Sequence, residues 1–488
     1  MKSVQVNKNA FLHARKCEAM GWFERRPKKV PPSETELFAM EEGQNIGQLA
    51  RSLFPGGIDL NDTPHHSSID STQAVLSNSS TKTLYEAKFV ADGLVARADM
   101  LVRGEKGWKI CEVKSALEGT SRYSDYIDDV SYTSLVASMA GLDIESISLV
   151  LLSRDFRIGM PTEALFVELD VTSEAKSVVE EMRFDAHGVR DVLLDDSPPE
   201  VDLCRYCKDC EYFSTSCVGK DLSHPIFELP RFPTKDIATY AANGMRSILD
   251  LPLDFNGNEV YKRVLQSVHR DVATLEDGLD GALSSVKWPA FYLDFETVRT
   301  AFPLMPDVAP YEQVLTQYSL HICSGPGEVS MHAEFLASHD SDCRRELAES
   351  LINALDSDGT IIVYYVPFER SRIRELSRMF PDLAESLTSI EARLFDLLPV
   401  VRDHYYHPDF AGSYSIKKVL PAMVPNLSYE NMEISDGLLA SVRFAKMMMG
   451  AFDLQEIEQQ RRFLLEYCKL DTLAMVELHK RLHELGEA

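Results

Sequence analysis

Apolar and polar positions follow two different periods along this chain, and the change of period divides it into three regions. Residues 1–225 combine helix-like periodicity with several strand-like alternations, and residues 226–288 hold helix-period segments beside a proline-rich connector. From residue 289 to 488, strand and helix patterns alternate in the manner of an α/β domain. The pattern therefore predicts an α/β protein with domains at 1–225 and 289–488, joined by a mostly helical connector at 226–288.

The first region contains the clearest individual elements. Two strand-like runs, 94–102 and 108–114, flank the glycine-bounded turn GEKG and predict a β-hairpin. Further patterns predict a helix near 125–140 and a strand near 145–153. Residues 67–83 are rich in Ser, Thr and Asn, so we expect a loop there.

Length and composition narrow the class of protein. At ~150 residues per domain, the 488 residues suggest about three units. Hydrophobic residues make up 45% and charged residues 26%, which excludes disordered and fibrous classes. No uncharged apolar run reaches the ~20 residues of a membrane span, and the first residues lack the apolar core of a signal peptide. We expect a soluble cytoplasmic protein without a membrane partner.

The acidic balance bears on the choice of partners. The formal net charge is −26, with 50 Lys and Arg against 76 Asp and Glu, which argues against a broad basic surface that coats DNA. It is compatible with a metal-dependent nuclease, because such an enzyme concentrates carboxylates around its cations and can keep its basic groove small.

The predicted hairpin carries the first chemical constellation. Asp99 lies on its first strand, and Glu112 and Lys114 lie two residues apart on the second, so the pleat places both on one face. Two carboxylates can hold a divalent cation while the ammonium orients water or stabilises phosphate charge. The competing interpretation is an exposed hairpin with surface charges.

Cysteines form the second signal. Nine cysteines in a cytosolic chain are not expected to form structural disulfides. Four lie within fourteen residues, a spacing typical of ligands to an iron–sulfur cluster or zinc: Cys204, Cys207, Cys210 and Cys217. The other cysteines after residue 100 are scattered, and we predict that they are ordinary structural cysteines: Cys111, Cys323, Cys343 and Cys468.

Together these features resemble the RecB-like branch of the PD-(D/E)xK nuclease superfamily that carries an iron–sulfur cluster, over roughly residues 10–220. The resemblance implies metal-binding and water-activating roles for Asp99, Glu112 and Lys114, with Glu86 as a helper. It also implies that Cys17 joins the later cysteines around a [4Fe–4S] cluster that holds the chain ends together. Five thiols then compete for four positions, with zinc as the alternative ion.

Two departures from that family are visible. The helix after the hairpin has Thr133 where a glutamine that helps to hold DNA is expected, and the early segment EEGQNIGQLARSLFPGG lacks the usual histidine.

A second carboxylate constellation lies in the last region. Asp294 and Glu296 end an apolar strand and are two residues apart, so they project from the same side as a two-metal site requires. Near the C-terminus, Tyr467 and Asp471 are four residues apart in a helical segment and share one face. The competing interpretation is a set of core-edge carboxylates that has lost catalysis.

This pattern resembles the DEDD (DnaQ-like, ribonuclease H-like) exonucleases of the Tyr-x-x-x-Asp subtype. The resemblance implies that Asp294, Glu296 and Asp471 hold two Mg²⁺ or Mn²⁺ ions and that Tyr467 positions the attacking water. Glu369, in the segment YYVPFERS, stands where a fourth carboxylate belongs, and Asp396 is a second candidate. The region 289–488 is also similar to the bacterial domain of unknown function family DUF2779, in its DFET, DLLP and YCKLDTLAM segments among others.

The leading hypothesis is a metal-dependent nuclease with 3′–5′ exonuclease chemistry in its C-terminal half, acting on DNA in preference to RNA, in repair or phage defence. The alternative is a catalytically degenerate nucleic-acid-binding or complex-assembly protein with a structural iron–sulfur or zinc site. An iron–sulfur redox protein is disfavoured because no dinucleotide fingerprint follows a strand. Lys417 and Lys418 are candidates to contact phosphate or, equally, solvated surface residues.

Overall fold

The computed structural model describes residues 5–26, 31–61, 69–430 and 432–487. The chain divides into two compact units. Unit 1 comprises Met1–Asp221 together with Thr300–Glu312, and unit 2 comprises Leu222–Arg299 together with Gln313–Ala488. The boundaries at 225 and 289 stay predictions.

Unit 1 is built on a six-stranded mixed sheet whose strands follow one another in chain order. Its strands are β1 (Ile58–Asp59), β2 (Thr83–Ala91), β3 (Leu94–Arg103), β4 (Trp108–Leu117), β5 (Ile144–Leu152) and β6 (Phe166–Asp170). Strands β2, β3 and β4 pair antiparallel, and β4 then pairs parallel with β5. A parallel pair needs a crossover, which a helix between β4 and β5 supplies.

Helices cover this sheet. The described α-helices of unit 1 are α1 (Lys8–Lys16), α2 (Glu18–Glu24), α3 (Glu34–Ala50), α4 (Ile69–Leu76), α5 (Tyr123–Met139), α6 (Thr172–Leu194) and α7 (Phe213–Ser216), with 3₁₀ turns at Arg51–Leu53, Thr162–Leu165 and Cys207–Asp209. The largest core of the unit lies between the sheet and α1, α5 and α6, where the rings of Phe11 and Tyr132 are 4.9 Å apart. Helix α3 starts at a capping box in which Ser33 and Glu36 satisfy each other's backbone N–H groups.

Unit 2 contains a five-stranded mixed sheet in the order β10-β9-β8-β11-β12 and a separate pair, β13-β7. Its strands are β7 (Thr274–Leu275), β8 (Ala290–Val298), β9 (Val314–Cys323), β10 (Val329–Leu336), β11 (Thr360–Val363), β12 (Leu394–Asp396) and β13 (Tyr405–Tyr406). β8 pairs antiparallel with β9 and parallel with β11. It is therefore the central strand, and its apolar first half is buried.

The described α-helices of unit 2 are α8 (Ile237–Ala242), α9 (Glu259–Arg270), α10 (Leu279–Leu283), α11 (Arg344–Ala354), α12 (Val366–Met379), α13 (Ala384–Ala392), α14 (Leu397–His404), α15 (Ile416–Met423), α16 (Gly437–Met448) and α17 (Leu454–Gly486). Short 3₁₀ turns lie at Ile226–Glu228, Thr234–Asp236, Ile248–Asp250, Phe255–Gly257, Pro381–Leu383 and Pro408–Phe410. Helix α17 packs on β8 and β9, and its Leu464 carbonyl accepts a 2.9 Å hydrogen bond from the Gln317 side chain of β9.

The predicted mixed α/β class is confirmed. The hairpin, the helix near 125–140 and the strand near 145–153 correspond to β3–β4, α5 and β5. The loop expected at 67–83 is wrong, because Ile69–Leu76 form a helix and a strand starts at Thr83; residues 67 and 68 lie outside the described part of the chain. Among the described helices, none is long and apolar enough to cross a membrane.

Candidate functional site

Three carboxylates meet where the central strand of unit 2 faces its longest helix. Asp294 and Glu296 come from β8, and Asp471 comes from α17. One carboxylate oxygen of each lies within 4.8 Å of the others, and in the described part of the chain no other set of three Asp, Glu, His or Cys residues is this close. Residues distant in sequence therefore converge on a space suited to a hard cation.

Burial sets the electrostatics of this cluster. Desolvation and then the charge of Asp471 raise the pKa of both Asp294 and Glu296 above its usual range. Burial also raises the pKa of Asp471, although a hydrogen bond from Tyr429 opposes the shift. Carboxylates that repel one another in a poorly solvated site hold protons until a cation neutralises them. This favours occupation by a divalent ion.

The fourth predicted carboxylate lies nearby but outside the close set. Glu369, on α12, is 2% exposed, and its Oε2 has no hydrogen-bond partner. Burial raises the pKa of Glu369 to about 8, and its charge in turn raises the pKa of Asp294. An unpartnered buried carboxylate oxygen is costly, so Glu369 is suited to complete a cation site.

Asp396, the other candidate for the fourth carboxylate, binds backbone N–H groups outside the cluster. Its carboxylate accepts hydrogen bonds from the backbone N–H groups of Tyr365, Val366 and Leu398 at 2.9, 3.0 and 3.1 Å. It is thus the N-cap of α14 and also holds the start of α12. Asp396 therefore has a structural role at the start of these two helices.

Two tyrosines surround the carboxylates. Tyr467 lies one helical turn before Asp471 and is 3% exposed, and its side chain hydrogen-bonds that carboxylate. Tyr429, which the sequence reasoning did not identify, donates a 2.6 Å hydrogen bond to Asp471 Oδ1. No motif marks Tyr429, because it lies in a loop 42 residues before its partner.

Cys468 corrects a prediction. It was expected to be an ordinary structural cysteine, but its Sγ lies 3.7 Å from Asp294 Oδ2 and 3.9 Å from the Asp294 carbonyl oxygen. The thiol is fully buried, and burial followed by the charge of Asp294 raises the pKa of Cys468. A weak S–H donor therefore contacts the cluster.

One lysine lies against the same site. Lys417 Nζ donates to the Ser435 carbonyl at 2.8 Å and lies 5.6 and 5.5 Å from the ring centres of Tyr429 and Tyr467. Its positive charge opposes the rise in the pKa of Glu296 and Asp471. Lys418 instead acts electrostatically on Glu228, so the two adjacent lysines have different surroundings.

In unit 1 the hairpin residues also come together. Asp99 Oδ2 accepts a 2.8 Å hydrogen bond from the Val113 N–H, and Glu112 Oε1 accepts a 3.0 Å bond from Lys114 Nζ. Lys8, from α1, lies 2.6 Å from the same Glu112 oxygen. Glu112 Oε2 is buried without a hydrogen-bond partner and remains suited to a cation.

The pKa values of Asp99 and Glu112 are shifted in opposite directions. Burial and the charge of Glu112 raise the pKa of Asp99. Burial alone would raise the pKa of Glu112, but Lys114 and Lys8 outweigh it and the net shift is downward. Lys114 also contacts Asp129, and Lys8 Nζ is 3.5 Å from Asp129 Oδ2. Sequence reasoning missed Lys8 and Asp129, since neither belongs to the hairpin.

The remaining predicted helpers of this site have distinct surroundings. Glu86, on β2, has a left-handed φ of 59° and pairs with Arg97 at 3.0 Å. Glu86, Arg97 and Asp99 line a cleft of about 610 Å³ together with glutamines 44 and 48 of α3. Thr133 is buried and donates to the Asp129 carbonyl at 3.2 Å, so it supports α5 and does not replace a DNA-binding glutamine.

All five candidate cysteines line one small cavity: Cys17, Cys204, Cys207, Cys210 and Cys217. Cys204 Sγ and Cys207 Sγ are 3.7 Å apart, and Cys17 is hydrogen-bonded to Cys204, which together with burial raises the pKa of Cys17. The hydrogen bond between Cys204 and Cys207 lowers the pKa of Cys207. The chemistry of this donor set fits a thiolate-bound group.

The fold and these sites define a mixed α/β protein with a partly buried carboxylate cluster. Residues 291–415 match the family described as Domain of unknown function (DUF2779). The matched segment contains Asp294, Glu296 and Glu369 but ends before Asp471.

The curated relatives are uncharacterized proteins. The chain is similar to UU173 of Ureaplasma parvum, 23% identical over 222 residues that cover 41% of this chain and 32% of that protein. It is also similar to MG366 of Mycoplasma genitalium, 23% identical over 216 residues that cover 40% of this chain and 32% of that protein. The matches span about a third of the length of these relatives. The chain is also similar to the crystal structure of SSO0001, at 14% identity. The match covers 46% of this chain and 90% of that chain, and its TM-score of 0.23 is too low to carry a structural argument.

Proposed function

We propose that this protein is a metal-dependent nuclease that hydrolyses phosphodiester bonds at the carboxylate cluster of unit 2. The observation that carries the proposal is the convergence of Asp294, Glu296 and Asp471 within 4.8 Å, with Asp471 buried and the other two partly buried. Such a site supports Mg²⁺ or Mn²⁺, which when bound would stabilise phosphate charge and lower the pKa of a coordinated water.

The chain's own residues then take the following roles. Asp294, Glu296 and Asp471 hold the cation, and the unpartnered oxygen of Glu369 completes the donor set. Tyr467 orients the attacking water from the helix face that carries Asp471. With the carboxylates on the central strand of a five-stranded mixed sheet, this arrangement supports a ribonuclease H-like fold and 3′–5′ exonuclease chemistry.

Unit 1 is proposed to be the PD-(D/E)xK-like half. Asp99 and the free Oε2 of Glu112 are the cation ligands there, and Lys114 is the phosphate-facing ammonium. The expected substrate is DNA in preference to RNA, with repair or phage defence as the setting.

The cysteine cavity is proposed to hold a [4Fe–4S] cluster. A tetrahedral zinc ion with ~2.3 Å bonds brings its sulfur ligands to about 3.8 Å from one another. Cys204 Sγ and Cys207 Sγ, 3.7 Å apart, match that spacing, so zinc stays the alternative ion. The cluster is proposed because five thiols line one cavity.

A second candidate function is nucleic-acid binding without cleavage in unit 1. Two ammonium groups, Lys8 and Lys114, both contact Glu112 Oε1 and compensate the charge that would attract a cation. In that case unit 1 holds the strand and unit 2 alone cuts it.

The deciding experiment is degradation of 5′-labelled single- and double-stranded DNA and RNA with Mn²⁺ or Mg²⁺ by anaerobically purified protein. Wild type is compared with Asp294→Asn, Glu112→Gln and a control, Asp340→Asn, which changes an exposed carboxylate. A ladder of 3′-shortened products that disappears only in Asp294→Asn supports the proposal. Absence of cleavage with every substrate contradicts it, and loss only in Glu112→Gln would move the chemistry to unit 1.

A further inference from the structure

Helix α1 connects the cysteine cavity to the unit 1 carboxylate site. Its first residue is Lys8, whose Nζ lies 2.6 Å from Glu112 Oε1. Its C-cap is Cys17, which lines the cysteine cavity and hydrogen-bonds Cys204. At ~1.5 Å per residue, the nine-residue helix spans about 13 Å between these two points.

Lys8 is placed to bind an anion. The Lys8 side chain is 23% exposed and that of Lys114 is 17% exposed, so each lysine is partly exposed, while the side chain of Glu112 is 2% exposed. Both contact one oxygen of Glu112, and both also pair with Asp129, so two positive charges lie together beside two carboxylates. Two ammonium groups placed together match a phosphate oxygen.

Helix α1 holds Lys8 firmly. Asn7 caps its first turn by accepting a 2.9 Å hydrogen bond from the Ala10 N–H. Phe11 is fully buried against Tyr132. At the other end, the backbone N–H of Cys17 still bonds to the His13 carbonyl, so a ligand at the Cys17 thiol acts directly on the helix.

We propose that Lys8 is a phosphate-binding residue of the unit 1 site, acting beside Lys114, and that ligation of Cys17 fixes its position through helix α1. This inference rests on the proposed nucleic-acid substrate, and it assigns a mechanical role in substrate binding to the cysteine site. It does not depend on hydrolysis in either unit.

The test measures binding of a short 5′-fluorescein-labelled single-stranded DNA to the full chain by anisotropy, with Ca²⁺ to avoid cleavage, over a series of salt concentrations. Lys8→Met should weaken binding about tenfold and reduce the slope of log K against log salt by ~0.7, the value for one lost phosphate contact. Lys8→Arg keeps the charge and should restore most of that slope.

Lys16 is the matched control because it lies on the same helix and pairs with Asp125 at 2.8 Å. Lys16→Met should leave the salt slope unchanged. An unchanged slope in Lys8→Met, an equal loss in Lys16→Met, or no binding by wild type overturns the inference. None of these outcomes alters cleavage dependent on Asp294, which is measured separately.

The coupling through α1 has its own arm. Cys17→Ser should weaken binding as much as Lys8→Met does, and the double variant should be no weaker than either single variant. Additive losses would overturn the coupling. If circular dichroism shows that Cys17→Ser does not fold, DNA affinity is measured before and after removal of the thiol-bound group, in wild type and in Lys8→Met. Equal affinities of wild type before and after removal overturn the coupling. A loss of affinity in wild type but not in Lys8→Met supports it.

Discussion

The hydroxyl of Tyr429 donates a 2.6 Å hydrogen bond to Asp471 Oδ1 inside the carboxylate cluster of unit 2. Both side chains are buried, at 8% exposure each, so the bond fixes the orientation of a carboxylate with little access to solvent. Supporting bonds of this kind position a ligand before the ion arrives.

Removal of that hydroxyl tests its role. Tyr429→Phe should weaken Mn²⁺ binding by about 10- to 100-fold, because the oriented ligand is lost and the carboxylate holds its proton more strongly. Isothermal titration calorimetry measures the affinity. Tyr365→Phe is the control, since its ring is 54% exposed in the same unit. Equal Mn²⁺ affinity in Tyr429→Phe and wild type would show that this hydrogen bond does not position a ligand.

A substitution at Lys417 should change the Mn²⁺ affinity in the opposite direction. Lys417→Met removes a positive charge whose field reaches Glu296 and Asp471, so Mn²⁺ should bind more tightly, by about tenfold, while cleavage falls. Lys418→Met is the matched control, because that lysine faces Glu228. Weaker Mn²⁺ binding in Lys417→Met would contradict this electrostatic interpretation.

Asp396 stabilises unit 2 by capping two helices outside the carboxylate cluster. Asp396→Ala strands three backbone N–H groups, including that of Tyr365, which has a left-handed φ of 84°. We expect a loss of about 2–3 kcal/mol in unfolding free energy, from the lost cap and the unsatisfied donors. Chemical denaturation measures it. Asp396→Asn should recover most of the stability, since Asn caps helices nearly as well; equal losses in both variants would contradict the capping role.

A buried histidine makes stability depend on pH. His479 is fully buried, its Nδ1 lies 2.7 Å from the Tyr292 hydroxyl, and burial followed by the charge of His483 lowers its pKa to about 3 from 6.5. The unfolded chain therefore binds more protons between those two values. Stability is fully present above pH 6.5 and is lost as pH falls toward 3, by about 1.4 kcal/mol per pH unit at most.

His479→Gln should flatten this dependence by up to one proton over pH 4–6, as measured by denaturation at several pH values. His187→Gln, which changes an exposed histidine of unit 1, should leave the slope unchanged. Identical slopes in His479→Gln and wild type would show that His479 is already protonated in the folded protein.

The site residues that the sequence placed together correctly lie only two or four residues apart. Asp294 and Glu296 share a face because strand side chains alternate, and Tyr467 and Asp471 share one because a helix repeats every ~3.6 residues. The same logic correctly paired Glu112 with Lys114. Each of these relationships is local, so periodicity alone is sufficient to predict it.

The missed residues act across long separations. Lys8 reaches Glu112 over 104 residues, and Tyr429 reaches Asp471 over 42. Cys468 looked structural because its neighbour Asp294 is 174 positions away. No propensity or spacing encodes such contacts, which depend on how helices pack onto their sheets. The helix at Ile69–Leu76 was missed for a related reason, since Ser, Thr and Asn surround its few apolar residues.

Membership of Thr300–Glu312 in unit 1 affects how the protein can be dissected. Tyr311 in that segment bonds Ser115 at 2.8 Å, and the Ala301 N–H bonds Glu42 at 2.6 Å. A fragment that stops near residue 225 loses both anchors, and one that starts near 289 carries them without their partners. An N-terminal fragment would therefore lack part of unit 1, and a C-terminal fragment would carry that part without its partners. Substitutions in the full chain are thus the sounder way to assign activity to either unit.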